Sequence, residues 1–194
     1  MKLAIAVLLI FLAVPVSALE EKILVLKVDG VIDPVGSDYV ARGIQKAIEE
    51  QKQAVIIQMD TPGGLDTAMR EIIQSIQTSE IPVVIYVYPN GARAASAGSF
   101  IAIASHAAAM APATNLGAAH PVAMGAGGDV GEKVVNDATA YMRSLAEQRG
   151  RNVSLAASFV TNSTSITARE ALDSNIIDIV AEDYTDLLGQ LDGF

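Results

Sequence analysis

Along the first half of the chain, compact apolar runs alternate with longer segments whose apolar residues recur every three or four positions. "KILVLKVDG" (22–30), "AVIIQMD" (54–60) and "PVVIYVY" (82–88) are rich in β-branched residues, and each predicts a strand. Between the first two, Val40, Ile44, Ala47 and Ile48 share one helical face of "SDYVARGIQKAIEEQ", with Ser37 as the expected N-cap. Leu65, Met69, Ile72, Ile73 and Ile76 form the matching stripe in the next interval, which ends before Pro82. Strand–helix–strand–helix–strand in this order predicts a parallel sheet with right-handed crossovers.

The second half changes character. A short helix is expected from Ala97, followed by short strands and turns through "HAAAMAPATNLGAAHPV". "AMGAGGDVG" (123–131) carries four glycines and reads as a mobile loop. The longest helix is predicted over Glu132 to Arg149, stopped by Gly150 as a C′ residue. Thr167 and Glu170 are spaced as a capping box, and "IIDIVA" returns to a strand. With no repeat and no linker, 19–194 reads as one α/β domain.

The remaining N-terminal segment has a different logic. Lys2 precedes "LAIAVLLIFLAVPV", and small residues follow up to Ala18, the layout of a secretory signal over 1–18. Cleavage would leave Leu19 first, and the alternative is retention as an anchor. Either way the domain is expected to be extracytoplasmic. Composition narrows the partners. A formal charge of −9 argues against nucleic acid, and the absence of cysteine excludes disulfides and thiolate chemistry. No metal or cofactor is expected.

Two local features can carry chemistry. "DTPGG" (60–64) lies at the C-terminal end of a predicted parallel strand, the edge where open α/β sheets bind ligands. Gly63 and Gly64 would let backbone N–H groups approach a carbonyl, as an oxyanion hole requires. A plain strand-to-helix turn explains the motif equally well. The second feature is Ala94-Ala95-Ser96-Ala97-Gly98, which approximates G-x-S-x-G with alanine first. Its small residues allow a sharp turn that exposes Ser96 Oγ beside the Ala97 N–H. Read alone, Ser96 is better explained as a helix N-cap. Ser99, in the same stretch, is read as structural, and so is His106.

Taken together, "MDTPGG", "ASAGS" and "APATNLGAAHPV" resemble the ClpP/crotonase superfamily. With "VVNDATAYMRSLAEQRGRN" and "ITAREALDSNIIDIVAED", the chain is similar to the extracytoplasmic serine-protease domain of long-form NfeD proteins, relatives of signal peptide peptidase A. The resemblance implies a ClpP/crotonase-like stacked β-β-α spiral with a mainly parallel sheet, running from Lys22 to Tyr184. Long NfeD proteins continue into membrane helices and a small β-barrel. The sequence to Phe194 has neither, so a protease-only or truncated version is expected.

The resemblance also supplies the base. Lys133 matches the lysine of the NfeD Ser–Lys dyad, so Ser96 and Lys133 are the expected catalytic pair, with Gly63 or Gly64 and Ala97 as oxyanion donors. Lysine normally titrates near ~10.4, and burial or a helix N-terminus would lower that value. His120 is the competitor, because ClpP enzymes use Ser-His-Asp and "AAHPV" stands in the corresponding place. No Asp or Glu lies between Arg151 and Ile166, where the third member is expected, so His120 reads as a pocket residue. The expected substrate is a peptide with apolar segments, of stomatin-like membrane proteins by family context. A homo-oligomer, dimer or larger, is also implied. An acyl-CoA enzyme and a non-catalytic scaffold for hydrophobic segments are the alternatives.

Overall fold

Alternation within the strands dictates a layered domain. In β2 (Ala54–Asp60), Val55, Ile57 and Met59 point into one core while Ile56 points into another, and β3 (Val83–Val87) divides its residues the same way. A strand buried on both faces must be covered twice, which is the hallmark of a parallel sheet within α/β architecture. The computed structural model describes residues 23–122 and 131–192. It shows a five-stranded parallel sheet in the order β1-β2-β3-β5-β8, where β1 is Ile23–Asp29, β5 Ala107–Met110 and β8 Ile179–Val180. The expected signal segment (1–18) and most of the glycine-rich stretch (123–130) lie outside the described residues.

The larger core lies between the sheet and the helices α1 (Pro34–Glu49), α2 (Asp66–Gln77), α3 (Ala97–Ala104), α4 (Glu132–Gln148) and α5 (Val153–Thr161). On the other face, α7 (Tyr184–Leu191) buries Leu187 against Ile56, Val84 and Ile179. A second sheet of three short strands, β4 (Arg93–Ala95), β6 (Asn115–Gly117) and β7 (Ser165–Thr167), stands beyond the C-terminal ends of the main strands. There β4 pairs parallel with β6, and β6 antiparallel with β7.

The predicted elements recur with two corrections. Helix α1 starts three residues before Ser37: Asp33 is the N-cap, accepting from the Gly36 N–H at 2.7 Å, with Pro34 in the first turn. An Asp followed by Pro outcompetes a later serine as a start, because Pro has no N–H to leave unsatisfied. Ser37 instead is buried, and its hydroxyl donates to Glu71 on α2 at 2.6 Å. The second correction is that α5 and α7 are helices in stretches for which the sequence pattern predicts no element. The capping box at Thr167 is present on α6 (Ala168–Asp173), and the Thr167 N–H and hydroxyl hold the Glu170 carboxyl below its ordinary range. Gly150 follows α4 with φ 64, the left-handed conformation of a C′ residue. Among the described residues, no helix is long and apolar enough to cross a membrane.

Candidate active site

Both candidate motifs emerge at the C-terminal edge of the main sheet, where β2 and β3 deliver their loops. The chain leaving β2 runs extended between two neighbours. On one side Thr61 exchanges bonds with β4, accepting from Ala95 N–H at 3.1 Å and donating its own N–H to Arg93 at 2.8 Å. On the other side Ile32 donates to the Gly63 carbonyl and accepts from the Leu65 N–H, each at 2.9 Å. An extended segment alternates its bonding direction, so the Gly64 N–H faces away from Ile32, toward the β4 side. It donates to no described residue. The Gly63 N–H, by contrast, is held by Thr61 Oγ1 at 3.0 Å. Of the two glycines weighed from sequence, Gly64 therefore has the available donor.

Gly63 has a different part. Its φ is 113, and a Cβ there would stand 2.5 Å from Ser96 Cβ and 3.0 Å from Ser96 Oγ. Only a residue without a side chain lets the "DTPGG" loop lie against the serine, and only glycine adopts that φ without strain. A Cβ on Gly64 would run into the Ile32 carbonyl. The two glycines are thus required by contact, one on each side of the loop.

Ser96 joins β4 to α3 with φ 52 and ψ −118, outside the regions that L-residues favour. Holding a serine there costs about 1–3 kcal/mol, and such strain persists only where neighbours over-determine it. Here Ser96 N–H donates to the Gly117 carbonyl at 3.0 Å, and its own carbonyl accepts from the Ser99 N–H at 2.9 Å. Ser96 occupies the N-cap position of α3, yet its hydroxyl makes no capping bond. The N-cap explanation of this serine is thereby excluded: at the mouth of the helix, Oγ forms no hydrogen bond among the described residues. The N–H of Ala97, first residue of α3, has no partner among the described residues either.

Lys133 lies in the first turn of α4, exposed, and among the described residues it forms no ion pair. The face it belongs to is firmly docked. One turn later Asp137 accepts from Arg70 of α2 at 2.8 Å, and a turn beyond, Tyr141 stacks on Phe100 of α3 with centroids 6.0 Å apart. Arg70 also covers the Tyr141 ring at 4.2 Å. At the far end the Arg149 side chain donates to the Ala104 carbonyl at 2.8 Å. The C-terminal ends of α3 and α4 therefore lie together, and Phe100 meets Tyr141 further back. Lys133, Asp137 and Tyr141 are spaced by four, so they fall along one side of α4.

His120 is half-buried, with Nδ1 at 2.8 Å from the Val160 carbonyl. A carbonyl only accepts, so Nδ1 is the donor in this contact. His106 stands elsewhere, at the start of β5, where its Nδ1 accepts from the Val83 N–H at 3.1 Å. Three further residues shape the site: Thr61 and Gly117, which the sequence does not single out, and Ser99, which it marks as structural. Thr61 two residues ahead of a glycine is a side-chain turn signature that was available. Gly117 and Ser99 could be found only in three dimensions. Among the described residues no cluster of His, Asp and Glu is disposed to hold a metal ion.

A parallel α/β core with a serine on a strained strand-to-helix elbow, faced by a glycine loop from the neighbouring strand, defines a ClpP-like domain, and solved structures of that fold match it. The chain belongs to the family of the NfeD1b N-terminal domain, whose model matches residues 22–188. It is 44% identical over 191 residues to the membrane-bound protease PH1510 of Pyrococcus horikoshii, covering 96% of this chain and 43% of that protein. It is 31% identical over 147 residues to the membrane protein NfeD1b of Bacillus subtilis, covering 75% of this chain and 33% of that protein. The chain thus spans less than half the length of either curated relative. Among solved structures, it matches a serine-to-alanine mutant of the 1510-N membrane-bound stomatin-specific protease with TM-score 0.85 and 42% identity, over 89% of this chain and 85% of that one. A lysine-to-alanine mutant of that protease in complex with a substrate peptide matches with TM-score 0.86 and 42% identity, over 89% and 80%.

Proposed function

We propose that this chain is a serine endopeptidase domain in which Ser96 is the nucleophile and Lys133 the general base. The observation that carries the reading is the strained Ser96 elbow, whose hydroxyl makes no capping bond and lies against Gly63. The free amine of Lys133 takes the Ser96 proton as Oγ attacks a peptide carbonyl. The oxyanion is held by the N–H groups of Gly64 and Ala97, with Gly63 as the wall beside Oγ. The Lys133 ammonium then gives its proton to the leaving amine. In the second half, Lys133 deprotonates a water that hydrolyses the acyl-enzyme, and Ser96 is restored.

Lys133 is supported by its place in the first turn of α4, on the helix that Arg70 joins to α2 through Asp137 and Tyr141. The relatives add support: one is named a protease, and the solved one was studied as serine and lysine mutants, the latter with a substrate peptide. The expected substrate is a peptide with apolar segments, belonging to a stomatin-like membrane protein as in the relative named for that specificity. The domain would act outside the cytoplasm, beside the membrane, as a homo-oligomer, without metal or cofactor. His120 gives a second reading as base, favoured by an Nε2 that forms no hydrogen bond among the described residues.

Peptide cleavage by Ser96→Ala, Lys133→Ala and His120→Ala separates these readings. Ser96→Ala and Lys133→Ala are expected to lower kcat by on the order of 10³-fold or more, and His120→Ala far less. Full activity in Lys133→Ala with loss in His120→Ala would transfer the base to His120. A scaffold that binds without cleaving would leave wild type inactive and unlabelled by a fluorophosphonate.

A further inference from the structure

Ser99 is fully buried, yet its bonds all lead to the nucleophile's turn. Its hydroxyl is 2.8 Å from the Ala94 carbonyl, on the strand that delivers Ser96, and accepts from the Gly117 N–H at 2.9 Å. The Gly117 carbonyl, also 2.9 Å from that hydroxyl, is the group that holds the Ser96 N–H. Ser99's own N–H holds the Ser96 carbonyl. One residue therefore ties together the strand before the nucleophile, both peptide groups of the nucleophile through Gly117 and Ser99, and the first turn of α3. Gly117 itself has φ 129, and a Cβ there would strike the Thr164 carbonyl, so β6 passes directly against the backbone before β7.

We infer that Ser99 is a positioning residue for catalysis: it holds Ser96 in its strained conformation, so that Oγ and the Ala97 N–H stay aimed at one carbonyl. This rests on Ser96 being the nucleophile. Without the hydroxyl, the turn relaxes toward an ordinary φ, and a displacement on the order of 1 Å at the reacting atom lowers the rate by roughly 10²-fold.

Ser105 provides the internal control. It is another fully buried serine, at the opposite end of α3, and its hydroxyl lies 2.7 Å from the Ala102 carbonyl and 2.9 Å from the Ala107 carbonyl. The experiment measures the rate of fluorophosphonate labelling and the kcat and KM of peptide cleavage for the full chain, at a temperature where circular dichroism shows each variant folded. Ser99→Ala is expected to label roughly ten- to a hundredfold more slowly, with kcat reduced and KM little changed. Ser105→Ala should lose comparable thermal stability and label at the wild-type rate. Ser99→Cys, close in size but a weaker hydrogen-bonding group, should fall between Ser99→Ala and wild type, and it replaces Ser99→Ala if that variant does not fold. Equal labelling of the Ser99 variants and wild type, or an equal drop in Ser105→Ala, overturns the inference. Labelling that persists in Ser96→Ala would instead overturn the nucleophile assignment.

Discussion

At Ser96 the backbone is held at φ 52 while Gly63, at φ 113, presses its bare Cα against the serine side chain. The two positive-φ residues from different strand ends make one contact, and Gly63 has no room in it for a side chain. Gly63→Ala would force a methyl to within 2.5 Å of Ser96 Cβ and strain its own φ. The expected result is loss of phosphonate labelling by at least roughly 10²-fold, with a stability cost on the order of 1–3 kcal/mol seen as a lower Tm. A Gly63→Ala variant that labelled at the wild-type rate would show that the loop can retreat without consequence. Thr61 belongs to the same contact, because it holds the Gly63 N–H and leaves Gly64 to donate outward.

At the scale of elements, the proposed nucleophile and the proposed base stand at the N-terminal starts of α3 and α4. Helix α3 is buried along its whole length, so its direction is set by the core. Helix α4 is held to α2 by Arg70, which bonds Asp137 and stacks on Tyr141. An exposed ion pair contributes little, about 0–1 kcal/mol, and a cation–π contact about as much. Arg70→Met should therefore lower the unfolding free energy by only about 1 kcal/mol in a urea titration, yet reduce kcat severalfold by loosening the helix that bears Lys133. At the other end Arg151 is buried, pairing with Asp178 at 2.9 Å and donating to the Ile176 carbonyl at 2.8 Å and the Ile103 carbonyl at 3.2 Å. Arg151→Met leaves Asp178 and those carbonyls without their donor. It is expected to cost about 3 kcal/mol, read as a shift of the urea midpoint at unchanged slope.

Across the whole molecule, pH acts through His106, which joins the start of β5 to the start of β3. Burial, reinforced by the nearby Arg149 charge, lowers its pKa below the ordinary imidazole value. The folded state thus binds the proton less readily than the unfolded chain does. Its contribution to stability is fully present above the unfolded pKa near ~6.5, and is lost as the pH falls through the folded value. Thermal melts should show Tm falling below about pH 6.5. His106→Asn, whose carbonyl can still accept from Val83 N–H, should flatten that component, and an unchanged slope would assign it elsewhere.

How much of this was legible beforehand differs from element to element. The strands around Ile57 and Ile85 and the stripes of α1 and α2 were readable, because periodicity directly reports which face is buried. The start of α1 was misplaced at Ser37, since a serine before an apolar stripe looks like a cap until its hydroxyl is seen bonded to Glu71. "VSLAASFVT" and "YTDLLGQL" were not read as α5 and α7. Short helices of this kind are stabilised by the surface they cover, and that surface comes from other parts of the chain.

The candidate site divides along the same line. Ser96, Ala97, Gly63, Gly64 and Lys133 were all singled out from sequence, the first four by local motif chemistry and the lysine by family resemblance. A strand followed by small residues and a serine specifies a sharp turn, because only small neighbours fit one. Local sequence did not decide whether that serine caps a helix or keeps its hydroxyl free, nor which of two glycines has an N–H to offer. Those answers depend on Gly117, Ser99, Ile32 and Thr61, which reach the turn from other segments or claim its donors. Residue types and their local order therefore determined the elements and the chemistry available to them. The pairing of distant backbone groups decided which of that chemistry remains unspent, since a donor is free only when no neighbour in space has taken it.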